Sequence, residues 1–185
     1  MRLYGYISFF CWVLLATGYG VNDFIYFDIL RPSQLAYLYK VLPAKDFGGL
    51  FNIKYNNVAL VLSEPLDSCS PLDKSYEGQF VLASRGSCAF IRKALHAQQA
   101  RALGLMVYNH DLNHADLFIS MLHDKEYDHV ITDITIPTAF MRGSDGHSIT
   151  ELLQQLNLDR VMITIPVNVT GTDRTLWSNA PWNLI

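Results

Sequence analysis

FVLASRGSCAFIRKALHAQQARALGLMVY, residues Phe80 to Tyr108, is the stretch whose reading decides the fold class. Phe80–Ala83 is a short apolar run of the kind that forms a buried strand. Arg85-Gly86-Ser87 is turn chemistry and carries the chain out of that strand. From there Phe90, Ile91, Ala94, Leu95, Ala97 and Ala102 fall on one side at helical spacing, which predicts a helix from about Ala89 to Leu103. Gln98 and Arg101 interrupt the stripe. Gly104 is placed to end the helix as its C-terminal cap, and Leu105–Tyr108 then reads as a second buried strand. The result is a strand–helix–strand unit with Cys88 at the helix entrance.

A second such unit follows downstream. Ile136–Met141 reads as a strand with proline at its edge. Ser144 or Ser148 starts a helix, and Ser148-Ile149-Thr150-Glu151 fits a capping box. The helix runs to about Leu156 and stops at Asn157. Val161–Ile165 alternates apolar and polar residues, as a half-buried strand should. Upstream, Phe24–Leu30 is aromatic and β-branched and reads as a strand. Pro43–Gly49 is a turn, and Val58–Leu62 is a short strand stopped by Pro65. Strands outnumber helices, so the fold class is mixed α/β and β-rich, one compact domain with two or more helices packed on β-sheets.

The first residues stand apart. Arg2 is the only charge before Asp23, Ile7–Ala16 is apolar but for one residue, and small residues follow at Ala16, Thr17, Gly18 and Gly20. A basic start, a short apolar run and a small-residue exit describe a secretory signal peptide over residues 1–20, leaving 21–185 as the mature chain; a short anchor or a buried first helix is the alternative. No run of 18 apolar residues exists, so no membrane span is expected in the mature chain. With 14 Lys+Arg against 17 Asp+Glu, no net positive field exists to hold a nucleic acid. Cys11 leaves with the leader, and in an oxidising compartment Cys69 and Cys88 most simply pair, closing a loop worth about 3 kcal/mol. Two buried free thiols or a partial metal site are the alternatives. Asn168-Val169-Thr170 is the one glycosylation sequon, so Asn168 is the expected glycan acceptor. Trp177 and Trp182 are expected to pack against the domain.

The search for chemistry centres on Asn109 to Asp133, which holds His110, Asp111, His114, Asp116, His123, Asp124, Asp128, His129 and Asp133. His110 and His114 have the i, i+4 spacing of a zinc helix, but Asp111 stands where a metalloprotease has its glutamate. The segment otherwise reads as a hydrated loop long enough to be functional. Ser144-Asp145-Gly146-His147 sets triad residue types side by side, though triads are assembled in space and adjacency carries little weight. There is no Gly-x-Ser-x-Gly elbow and no phosphate-cradling loop. No cofactor and no metal are expected.

The blocks from Cys69 onward resemble the protease-associated domain family. The resemblance lies in Cys69, the Phe80–Ala83 strand, Arg85-Gly86-Ser87-Cys88-Ala89-Phe90, Lys93, Ala97, Gly104, Leu105–Tyr108 and Asn109, followed by Pro137 and Gly146. Leu105 departs from the alanine usual there, a change of packing and not of class. Pro43–Gly49, Pro166–Thr170 and Pro181-Trp182 are similar to small secreted members built of a signal peptide and one such domain, whose core would lie at about 65–165. The resemblance implies a β-rich α/β domain that is not itself a catalyst. Relatives carry it as an insert in subtilases and aminopeptidases, in membrane-bound ubiquitin ligases, or in sorting receptors that bind peptide signals. The functional expectation is therefore a secreted, N-glycosylated, non-catalytic module with a protein or peptide partner and no nucleic acid. The weak candidate surface is the loop carrying His110, Asp111, His114, Asp116, Asp124 and Asp128, whose acids would favour basic peptides. A small hydrolase or metalloenzyme using 109–133, or a regulatory subunit of a separate protease, are the competing readings.

Overall fold

Seven strands and two helices build the domain in the computed structural model, which describes residues 24–122, 125–169 and 180. The expected signal peptide, His123, Asp124, Thr170, Trp177 and Trp182 lie outside the described residues. The strands are β1 (Ile25–Arg31), β2 (Leu38–Pro43), β3 (Tyr55–Leu62), β4 (Gln79–Ser84), β5 (Gly104–Tyr108), β6 (Thr138–Met141) and β7 (Arg160–Ile165). The helices are α1 (Phe90–Gln99) between β4 and β5, and α2 (Gly143–Gln155) between β6 and β7. One sheet closes on itself in the order β1-β2-β6-β5-β4-β3-β7. The pairs β3/β4, β4/β5 and β5/β6 are parallel and the remaining pairs antiparallel. The fold is thus mixed α/β and β-rich, as its sequence pattern implies, and closure leaves no free sheet edge.

Alternation along the strands divides the core in two. Phe27, Tyr39, Leu60, Phe80, Leu82, Met106, Tyr108, Met141, Val161 and Ile163 come from all seven strands and fill the barrel interior, joined by Ile149 and Leu153 of α2. Their neighbours Val61, Val81, Ala83, Leu105, Val107 and Phe140 form the outer layer under Ile91, Ala94 and Ala97 of α1. Leu105 is fully buried in that layer.

Three local expectations are corrected. Helix α1 ends at Gln99, and the left-handed residue beyond its cap is Arg101 (φ +66°), not Gly104. Gly104 opens β5 instead, where a Cβ would lie 2.4 Å from the Phe80 ring. Helix α2 starts at Gly143 without a capping box: the Ser148 hydroxyl donates back to Ser144 O, and the Gly143 N–H is met by Ala115 O at 2.6 Å. Tertiary contact supplies the cap that a side chain would otherwise give. Asn157 (φ +52°) does end α2 as read.

Candidate functional site

Parallel neighbours need crossovers, and the three crossovers meet at one rim. The segment from Ser63 to Gly78 joins β3 to β4, α1 joins β4 to β5, and residues 109–137 join β5 to β6. At the carboxyl ends of β4 and β5, the place where parallel sheets commonly receive ligands, lies an open groove of about 770 Å³. One wall is the turn Arg85–Phe90; the other carries His110, Asp111, Leu112, Ser120 and Leu122.

Buried groups fix the first wall. Cys69 and Cys88 are disulfide-bonded, 19 positions apart with Cα atoms at 5.7 Å. Lys93, fully buried on α1, donates to Gly86 O at 2.7 Å, to Asp67 O, and towards Cys69 Sγ at 3.1 Å. Burial holds its ammonium below the ordinary lysine range, with the Asp67 carboxylate opposing. One turn on, His96 Nδ1 lies 2.9 Å from Ser68 O. The polar members of the α1 stripe therefore have definite partners. Gln98 donates to Asp133 O and accepts from Thr135 and Ile136 N–H, while Arg101 pairs with Glu77.

The second wall starts at Asn109, fully buried, whose Nδ2 donates to His114 O at 2.9 Å while Oδ1 accepts from Arg85 at 3.3 Å. His110 and His114 do not share a helix face. His110 lies beside Gly86 in irregular chain, and His114 ends a one-turn 3-10 helix, Leu112–His114. His114 Nδ1 instead pairs with Asp111 Oδ2 at 2.8 Å, a contact that holds the Asp111 carboxyl below its usual range, helped by the Asn113 N–H. Asp116 accepts from Ser144, and Asp128 and His129 are exposed farther along, outside the groove. Among the described residues no group of three His, Cys, Asp or Glu side chains is placed to hold a metal.

The hydrated-loop reading of 109–133 needs correction at its middle. Phe118 sits edge-on to Phe24 at 4.8 Å, with Lys40 at 5.2 Å and Arg142 at 5.7 Å from its ring centre. Met121 is buried in the outer core layer. Leu112 (69% exposed) and Leu122 (60%) line the groove. The exposed leucines are a signal that sequence reasoning passed over, since it attended to the charges. Triad chemistry finds no geometry here. Asp145 is buried against Arg142, Ser144 is bonded to Asp116, and His147 packs on Tyr108 with Nε2 3.3 Å from His110 O.

A β-rich α/β barrel with its groove at the crossover rim is the architecture on which the sequence blocks converge. The chain belongs to the PA domain family, whose model matches residues 55–149. It is 35% identical over 162 residues to a PRADC1-like protein of Drosophila melanogaster, covering 85% of this chain and 81% of that one. It is 34% identical over 98 residues to Signal peptide peptidase-like 2 of Arabidopsis thaliana, covering 53% of this chain but only 17% of that protein. Among solved structures it is similar to a zinc aminopeptidase from Bacillus subtilis (TM-score 0.50, 14% identity) and an aminopeptidase from Aneurinibacillus sp. strain AM-1 (TM-score 0.52, 13% identity). Each match covers 77% of this chain and less than a third of the enzyme, 29% and 30%, and the likeness is one of fold. Among the described residues no helix is long and apolar enough to cross a membrane.

Proposed function

We propose that the chain is a secreted, N-glycosylated, non-catalytic module that binds a protein or peptide in the groove between the Arg85–Phe90 turn and Leu112–Leu122. The observation that carries this reading is the pair of exposed leucines, Leu112 and Leu122, that line the groove beside Arg85, His110 and Asp111. Exposed apolar side chains rimmed by polar groups mark interaction sites. Arg85, His110 and Asp111 offer the few polar contacts that orient a bound segment. The non-catalytic reading is supported by the dispersal of the His, Ser and Asp candidates among separate partners. It is consistent with the small share that the matched region makes of the peptidases it resembles. Secretion rests on the leader-like residues 1–20, and the glycan on the exposed Asn168 just beyond β7.

A peptide-library screen against the purified secreted protein tests the reading, with Leu112→Asp/Leu122→Asp as the groove variant. Loss of at least tenfold in affinity is expected, about 1.4 kcal/mol. Unchanged binding by a folded variant, or substrate turnover abolished by one point substitution, would sink the proposal. N-terminal sequencing near residue 21 and a single mass step on deglycosylation, absent in Asn168→Gln, check the processing.

A further inference from the structure

We propose that the Cys69–Cys88 bridge is a site of thiol–disulfide exchange, entered by attack on the Cys88 sulfur with the Cys69 sulfur as leaving group. Both cysteines are half-buried, but they are placed differently. Cys88 lines the groove, between Ser87 and Ala89, and Cys69 does not. On the other side, the fully buried ammonium of Lys93 stands 3.1 Å from Cys69 Sγ. Its remaining N–H groups go to Gly86 O and Asp67 O, which fix it in place.

A disulfide sulfur is a weak acceptor, so this contact gains little while the bridge is intact. It gains strongly once negative charge arrives on Cys69. An interaction larger in the transition state than in the ground state is the kind that speeds a step. The carbonyl oxygens of Asp67 and Gly86, each 3.5 Å from Cys69 Sγ, and two further groups work against the assignment. The Asp67 carboxylate accepts from the Cys69 N–H at 3.0 Å, which disfavours a thiolate nearby. The N-terminus of α1 follows Cys88 and favours charge there. Lys93 outweighs these: its own N–H groups take up both carbonyl oxygens, the Asp67 carboxylate bonds the backbone N–H and not the sulfur, and a helix end carries only about half a unit charge. Lys93 carries a full charge in contact with the sulfur.

The reductant is a dithiol of the small-molecule or Cys-x-x-Cys protein class. Its first thiolate forms a bond to Cys88 Sγ as the Cys69–Cys88 bond breaks, and the electron pair goes to Cys69. Its second thiolate then displaces Cys88 and closes the reagent's own disulfide. Two electrons pass to the protein, and the two protons lost by the dithiol end on Cys69 and Cys88. Reduction removes the covalent tie between the Asp67–Cys69 turn and the Arg85–Phe90 turn and leaves Lys93, bonded to Asp67 O and Gly86 O, as the link between them. In the Asp67–Cys69 turn Ser68 has φ +50° and a buried hydroxyl that has no partner among the described residues, so loosening the turn relieves strain. Nothing in the proposal depends on what the groove binds.

The test uses the full secreted chain. A monothiol, glutathione, is reacted briefly, acid-quenched and mapped by peptide mass. The adduct is expected on Cys88, and an adduct predominantly on Cys69 overturns the proposal. In Cys88→Ser the Cys69 thiol is titrated by thiolate absorbance. A midpoint about 1–3 units below the ordinary value of about 8.5 is expected, and a midpoint at or above it overturns the proposal. Lys93→Met, if thermal unfolding shows it folded, should be reduced by dithiothreitol on the order of tenfold more slowly. Equal or faster reduction of the folded variant counts against the assignment, and if Lys93→Met does not fold the other two measurements decide.

Discussion

Gly146→Ala sets two opposing effects of known size against each other. Alanine is better than glycine inside a helix by about 1 kcal/mol, so on propensity alone the substitution should stabilise α2. The packing says otherwise. A Cβ at position 146 would stand 2.3 Å from both Cβ and Cγ of Tyr108, where ordinary contact is 3.4–4 Å. The Tyr108 Cβ cannot swing away, because it is fixed by the backbone of β5, which is bonded to β4 on one side and β6 on the other. The helix must therefore retreat by about 1 Å, an overpacking of the kind that costs about 1–3 kcal/mol. The retreat also loosens Ile149 and Leu153, now essentially fully buried and each worth about 1.5–3 kcal/mol when completely so. A net loss of about 2–3 kcal/mol follows, a fall in Tm of roughly 4–12 °C for a chain of this length. Urea denaturation and calorimetry measure it, with Gln155→Ala on the exposed side of α2 as a control that should stay within about 0.5 kcal/mol. A Gly146→Ala protein as stable as its parent would refute the claim that α2 is seated on Tyr108 through that glycine.

Removing the bridge with Cys69→Ser/Cys88→Ser should lower stability by about 3 kcal/mol, from the 19-position loop it closes; a loss under about 1 kcal/mol in denaturant would contradict this. Phe118→Ala removes a half-buried ring contacted by Phe24, Lys40 and Arg142, and should cost about 2 kcal/mol. Hydrogen exchange should quicken at 112–122 and not in α1. The Asp67 carboxyl is held below its ordinary value near 3.8 chiefly by the Cys69 N–H, then by the Ser87 hydroxyl and the Lys93 charge. The stability it lends is fully present above that value and lost as pH falls through the lower folded one. Asp67→Asn should flatten the acid limb of the denaturation midpoint against pH, and an unchanged limb would show the carboxylate to be uninvolved.

The strand–helix–strand unit was legible because its signals are local: apolar runs, a turn tripeptide and a 3.6-residue stripe. What was not legible depended on partners distant in sequence. Strand β2, LYKVLP, carries Lys40 in its middle and so lacks a clean pattern, yet that lysine lies over the rings of Phe24 and Phe118. The end of α1 was misplaced because Arg101, held by Glu77, takes the left-handed position that glycine usually fills. The start of α2 was misread because its cap is Ala115 O, from another segment. In the candidate site, the charges of 109–133 drew the sequence reading to His110 and Asp111, which do line the groove. Asp116 and Asp128 do not. The apolar members, Leu112 and Leu122, resemble any loop leucine until the groove they line is seen.

Three consecutive parallel pairings commit the chain to three crossovers, and each is tied to the next. The bridge and Lys93 join the β3–β4 crossover to the turn that enters α1. Gln98 joins α1 to the far end of the β5–β6 crossover, and Asn109 joins the near end to Arg85. Arg85, Gly86 and Cys88 belong both to the groove wall and to these ties, whereas Lys93, Gln98 and Asn109 hold the walls from behind. A ligand seated between Arg85–Phe90 and Leu112–Leu122 gains from order already present, since little chain must be fixed at the moment of binding. By linkage, such a ligand stabilises the crossover ties in the same measure that they favour its binding. Loosening any one tie should then weaken binding even where the altered residue never touches the ligand. Gln98→Ala, remote from the groove, is the variant on which that coupling can be measured: a weaker affinity is expected, and an unchanged one would show the groove walls to be independent of the ties behind them.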